Sequence, residues 1–292
     1  MSMSVSGILQ YLLLLLGSFF ALALSLATAL AQDSINVEFK NNGQTVSALP
    51  LDDLRTIAPA VSIKVFEAHE KAERIYRALP VRPVFDKVFG KGWENAQEII
   101  FTSIDGYQPS IPVKKLLAHD AYFAFAHEDG TPFTLTNRLQ NNEIVQLGPL
   151  YLVWDNIKSK ELLDAGASDM PYQIKRIELK FVSPFPNMTL PAGSSAAAQR
   201  GFMHFRQHCM ACHTINGEGG GKAPELNYPV SVTEYIKPEY LKRWIMSPQS
   251  IRYNTTMPGL TGAILLDRET ATEELIAYLK AMSNAKRVPA NP

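Results

Sequence analysis

Cys209-Met210-Ala211-Cys212-His213 holds both cysteines of the 292-residue chain, and C-x-x-C-H is the spacing of a covalent c-type haem attachment site. Two thiols three positions apart can each form a thioether to a porphyrin side chain, and the next residue then presents its imidazole to the iron. Cys209 and Cys212 are read as the attachment residues and His213 as the proximal iron ligand. A C-x-x-C pair also serves as half of a zinc site or as a redox dithiol. Zinc needs further Cys or His at ligand spacing, and a thioredoxin-like dithiol needs a βαβ setting; the sequence around this pair suggests neither. His204 and His208 lie upstream on an expected helix, where a solvated or packed histidine is the ordinary case.

A six-coordinate iron needs a second axial ligand, and a thioether sulfur is the partner that raises the potential of a His-bound iron. Met257 is the choice, in Tyr253-Asn254-Thr255-Thr256-Met257-Pro258-Gly259-Leu260. There Pro258 disfavours the α conformation at the methionine and Gly259 permits unusual backbone angles. The rival is Met246, in Tyr240-Leu241-Lys242-Arg243-Trp244-Ile245-Met246, a short helix closed by Ser247-Pro248. Core packing is the usual work of a methionine so placed, and the same holds for Met203, Met210 and Met282.

From about Ser194 to Ser283 the chain resembles the class I cytochrome c family. The resemblance rests on ordered features: Gly201 and Phe205 before the attachment motif, Gly219-Gly220-Gly221 and Ala223-Pro224 after it, Met257-Pro258, and a last helix with Leu275-Ile276-Ala277-Tyr278-Leu279-Lys280. It implies an all-α domain with one covalent haem c, whose first and last helices cross closely with Gly201 facing Tyr278. It also implies that Pro224 helps to orient His213; such outer contacts fix a ligand's ring and tune the metal.

The amino terminus bears on location. Tyr11 to Ala31 is almost wholly apolar and ends in Ala29-Leu30-Ala31, which reads as a secretory signal with the mature chain starting near Gln32. No Lys or Arg precedes the run, and it is long enough to span a bilayer, so segment 1–31 is read as a signal peptide or a membrane anchor. Either places the rest outside the cytoplasm, in the periplasm or anchored to the inner membrane.

The roughly 260 residues that remain suggest two domains. Residues 183–195 are rich in Pro, Gly and Ser and read as an exposed linker. It would separate an α+β domain over 33–182 from the cytochrome-like domain over 196–286. Within the first, Ile35–Phe39, Ile99–Ser103, Tyr122–Ala126, Gly148–Trp154 and Ile174–Phe181 read as strands, and Val113–Leu117 as a short helix. The Asp105-Gly106-Tyr107 and Asp129-Gly130-Thr131-Pro132 turns, Gly148-Pro149-Leu150, and Tyr172-Gln173-Ile174-Lys175-Arg176-Ile177 resemble the small sulfite-oxidase-like, molybdopterin-binding domain family. That resemblance implies a mixed sheet flanked by helices.

Function does not follow from such a fold. In the enzymes of that family a cysteine thiolate binds molybdenum, and here both cysteines are assigned to haem, so no molybdenum is expected. His69, His119 and His127 are isolated in sequence and read as solvated or hydrogen-bonded. Arg74, Arg77 and Arg82 form the densest basic stretch, read as an anion or partner site or, more plainly, as a solvated helix end before a Pro-defined turn.

The chain is formally neutral, with 28 basic and 28 acidic residues. From Ser194 onward it has 11 Lys and Arg against 8 Asp and Glu, and before that 17 against 20, an asymmetry able to orient redox partners. Nothing resembles a basic nucleic-acid surface. The expectation is an exported monohaem carrier that exchanges electrons with partner proteins such as a dehydrogenase, a cytochrome or a terminal oxidase, its first domain a docking or scaffold module. Two alternatives stand beside it: a haem-containing dehydrogenase of sulfite-oxidase type, and a structural subunit of a respiratory complex held by the apolar amino terminus.

Overall fold

Side-chain alternation marks the first strand: in β1 (Val37–Asn41), Val37 and Phe39 are fully buried and their neighbours are not. The computed structural model describes residues 35–138, 140–182, 185–260 and 267–289, so the segment read as signal or anchor lies outside the described residues. Strand β2 (Gln44–Leu49) folds back on β1 through Asn42 and Gly43, both at positive φ. Helix α1 (Leu51–Ile57), β3 (Val61–Glu67), β4 (Ala72–Pro80) and α2 (Val81–Phe89) follow.

Next come β5 (Glu98–Ser103), β6 (Ser110–Pro112), α3 (Val113–Ala118) and β7 (Ala121–His127). The hairpin β8 (Thr134–Asn137) and β9 (Glu143–Gln146), then β10 (Tyr151–Trp154), α4 (Lys160–Ala165) and β11 (Ile174–Lys180) complete the N-terminal region.

These strands make two principal sheets where the sequence suggested one. The first runs β2-β1-β11-β5-β6, with β1 parallel to β11; the second runs β10-β7-β4-β3 and is antiparallel throughout. Both contribute to a single core, Phe39, Phe101 and Ile177 from one and Val65, Tyr76 and Phe123 from the other. Two strands of the second sheet, β7 and β10, coincide with stretches that read as strands in the sequence, whereas β4 is masked by Arg74 and Arg77. That stretch is a strand, not a helix end: Tyr76 and Ala78 are buried while Ile75 and Arg77 face out, a period of two. Arg82 lies in α2 and donates to the Leu116 and Leu117 carbonyls.

The C-terminal region is helical. Helix α5 (Ala196–His208) is capped by the Ser195 hydroxyl, which accepts from the Ala198 amide. After the two-residue strands β12 (Thr214–Ile215) and β13 (Glu218–Gly219) come α6 (Val232–Tyr235), α7 (Pro238–Met246) and α8 (Arg268–Ser283). Among the described residues no helix is long and apolar enough to cross a membrane.

Helices α5 and α8 cross at Gly201, where a Cβ would stand 1.9 Å from the Glu274 carbonyl oxygen and 2.9 Å from the Tyr278 Cβ. Only glycine permits that approach. It brings Phe202 and Phe205 against Tyr278, with ring centroids 5.4 and 5.2 Å away. Burying a side chain such as Phe205 is worth about 1.5–3 kcal/mol, so the crossing anchors the second core.

The described part of the expected linker, residues 185–195, also departs from the exposed stretch that its composition suggested. Phe185 and Met188 are buried in the second core, and the Tyr278 hydroxyl donates to the Met188 carbonyl at 3.0 Å. Its apolar members outweigh its Pro and Gly content, because hiding them against α8 removes their surface from water.

Candidate haem-attachment site

The attachment motif is the C-terminal cap of α5. The Cys209 amide donates to the Phe205 carbonyl at 2.9 Å, and the Cys212 and His213 amides turn back to the Cys209 carbonyl at 3.1 and 2.9 Å. Met210 points into the core between the two cysteines, 2 % exposed. With Met210 anchored inward, Cys209 and Cys212 flank it as free thiols, half-buried. Burial pushes the Cys209 thiol up to about 12 and the Cys212 thiol to about 11. At Cys212 the Lys222 cation works against that rise and the Asp105 carboxylate adds to it.

His213 Nδ1 donates to the Pro224 carbonyl at 2.8 Å. That bond fixes the ring and leaves Nε2 as the nitrogen for iron. Burial lowers the pKa of this imidazole, against the pull of the Pro224 bond and the nearby Glu225, so it is neutral, the form that binds metal. The chemistry of the donors suits haem c: two unpaired thiols beside one oriented neutral imidazole.

The loop after the motif is locked to it. The Gly220 amide donates to the Met210 carbonyl at 2.8 Å and the Ala223 amide to the Cys212 carbonyl at 2.9 Å. A Cβ on Gly220 would meet the Ala211 carbonyl oxygen at 1.9 Å. Asn216, fully buried and at positive φ, donates from Nδ2 to the Asn187 and Ala285 carbonyls and accepts from Asn227. Glu225 accepts from the amides of Asn216, Gly217, Asn227 and Tyr228. Burial raises its pKa, but these donors outweigh burial and hold the carboxyl below its ordinary value.

Met257 stands in a separate loop. Its amide donates to Thr255 Oγ1 at 3.2 Å, Asn254 takes positive φ, and the Leu260 amide donates to the Ile245 carbonyl. A Cβ on Gly259 would meet the Met246 carbonyl oxygen at 2.6 Å, so the loop that carries Met257 closes against the end of α7. The structure thus gathers Cys209, Cys212, His213 and Pro224, and sets Met246 and Met257 at the two ends of the segment that leads out of α7.

Two features had no signal in the sequence. One is an interface between the regions, within the single compact unit that the described residues from Asn36 onward form. The Gln108 amide donates to the Ala211 carbonyl at 2.6 Å, Gln108 Nε2 to the Gly219 carbonyl at 3.1 Å, and the Gly221 amide to the Gly106 carbonyl at 3.0 Å. Lys222 pairs with Asp105 at 2.7 Å, Arg206 with Glu98 at 2.7 Å, and Asn141 Nδ2 donates to the Thr255 carbonyl at 2.8 Å.

The other is a buried polar cluster. Glu67, fully buried, accepts from Tyr76, Tyr151 and the His69 amide, with His69 Nδ1 at 2.9 Å. His127 meets the Thr134 carbonyl and His119 meets Glu161. Among the described residues no group of three or more His, Cys, Asp or Glu could hold a metal ion.

The cytochrome c family model matches residues 198–283, so the C-terminal region carries a cytochrome c domain. Such a domain implies haem c and electron transfer. No curated protein matches the chain.

Proposed function

We propose that this chain is an exported monohaem c-type cytochrome that passes single electrons between periplasmic or membrane redox partners. One observation carries the reading: within the matched domain, two unpaired thiols flank a core-anchored Met210, and the adjacent His213 is oriented by the Pro224 carbonyl. Cys209 and Cys212 would bind the haem covalently, His213 Nε2 and the Met257 sulfur would ligate iron, and the Pro224 carbonyl would hold the proximal ring. The haem, when bound, supplies a one-electron iron couple. The chain supplies ligation and burial, the terms by which a protein sets that couple.

The N-terminal region is a docking or scaffold module with a sulfite-oxidase-like fold and without molybdenum. Support comes from cysteine usage, since both thiols belong to the attachment motif. The apolar run Tyr11–Ala31 supports export to the periplasm, with or without retention at the inner membrane. Its partners are redox proteins such as a dehydrogenase, another cytochrome or a terminal oxidase, and not nucleic acid.

Production in a host competent for cytochrome maturation tests the proposal. The expected product is coloured, heavier than the polypeptide by one haem, and contains iron but no molybdenum. Mass spectrometry of the amino terminus separates cleavage near Gln32 from an intact anchor. A colourless chain with both thiols free overturns the function, and stoichiometric molybdenum overturns the scaffold role.

A further inference from the structure

The turn between β5 and β6 reaches the attachment loop backbone to backbone. Gly106, at positive φ, lies so near that a Cβ would stand 2.9 Å from the Gly221 carbonyl carbon, and the Gln108 amide meets the carbonyl of Ala211, between the two cysteines. These contacts hold Asp105 Oδ2 2.7 Å from Lys222 Nζ, with the Asp105 and Lys222 side chains only 32 % and 23 % exposed. The Lys222 ammonium also lies 5.9 Å from the centre of the Tyr107 ring, and the Tyr107 hydroxyl donates to the Ser168 carbonyl. An opposite pair is thus fixed beside the attachment cysteines, its anion from one region and its cation from the other.

We infer that the Asp105–Lys222 pair sets the reduction potential of the haem, so that the N-terminal region acts as a positioning element for the redox centre. The inference rests on the haem reading of Cys209, Cys212 and His213. Both members of the pair act electrostatically on Cys212, in opposite senses. Reduction adds one negative charge to the iron centre. A fixed cation nearby favours that state and a fixed anion disfavours it, and partial burial weakens screening by salt.

Removing the Asp105 charge leaves Lys222 uncompensated and shifts the potential upward; removing the Lys222 charge leaves Asp105 alone and shifts it downward. A purely structural role would loosen the interface in both variants and move both potentials the same way.

The test is spectroelectrochemical titration of the full haem-loaded chain as wild type, Asp105→Asn, Asp105→Glu, Lys222→Gln and Lys222→Arg. Opposite shifts are expected for the two neutral variants, with Asp105→Glu and Lys222→Arg near wild type and all differences shrinking in high salt. Unchanged potentials, or shifts of one sign, in variants with a native haem spectrum overturn the inference and leave the haem reading intact. A wild-type chain that takes up no haem overturns both. Should Lys222→Gln fail to fold, the comparison of Asp105→Asn with Asp105→Glu decides alone.

Discussion

Gly201 on α5 faces Tyr278 on α8 with space for a hydrogen atom and nothing larger: a methyl group there would stand 2.9 Å from the Tyr278 Cβ and closer still to the Glu274 carbonyl. Backbone cannot yield as a flexible side chain can. Gly201→Ala is expected to cost about 1–3 kcal/mol through forced separation of the helices. Urea denaturation measures it, and a lower yield of coloured protein should accompany it.

On the proposed ligation, Met257→Ala should leave an open or water-bound iron with an altered spin state and a lower potential. Met246→Ala should keep the wild-type spectrum and lose only packing. Visible absorption of the two variants checks the assignment, and an exchange of their behaviours would transfer the ligand role to Met246.

Glu67 makes stability depend on acid. Burial opposes its ionisation, but His69 and the Tyr76 hydroxyl outweigh burial and hold its pKa below the ordinary value. Its contribution is therefore present above about pH 4.3 and lost as pH falls through the depressed folded value. Glu67→Gln should cost about 1.5–3 kcal/mol at pH 7, because charge-assisted hydrogen bonds become neutral ones. The gap between variant and wild type should narrow toward pH 3 in denaturation curves taken across that range.

Asn216→Ala should strand the Asn187 and Ala285 carbonyls and one Asn227 donor beside the attachment loop. The expected loss is about 2–4 kcal/mol, since buried polar groups deprived of partners keep their full desolvation cost. Asn216→Gly relieves the positive-φ strain but not the lost bonds, so thermal melts of the two variants separate the terms.

Much of this architecture could be read locally. Strands β1, β5, β7 and β11 follow from alternation or apolar runs, and helices α5 and α8 from their order about the C-x-x-C-H motif. Strand β4 is masked in the sequence because Arg74 and Arg77 interrupt its apolar pattern, while Tyr76 and Ala78 carry the period. The meeting of Gln108 with Ala211 and Gly219 could not be read at all. It joins residues more than a hundred positions apart, one bond running backbone to backbone and the other from the Gln108 side-chain amide to a carbonyl that any residue would offer. Asp105-Gly106-Tyr107 announced a turn, and nothing in it announced what the turn would touch.

Ile100 belongs to β5 by chain and hydrogen bonding, yet its side chain lies in the core shared by Phe185, Phe205 and Tyr278. The N-terminal region therefore completes the interior of the C-terminal one, and unfolding it would strip cover from its neighbour. Heat or urea should dismantle the molecule in one cooperative transition, with loss of the haem spectrum coinciding with loss of far-ultraviolet ellipticity. The N-terminal and C-terminal regions would then behave as a single thermodynamic body, not as beads on a string.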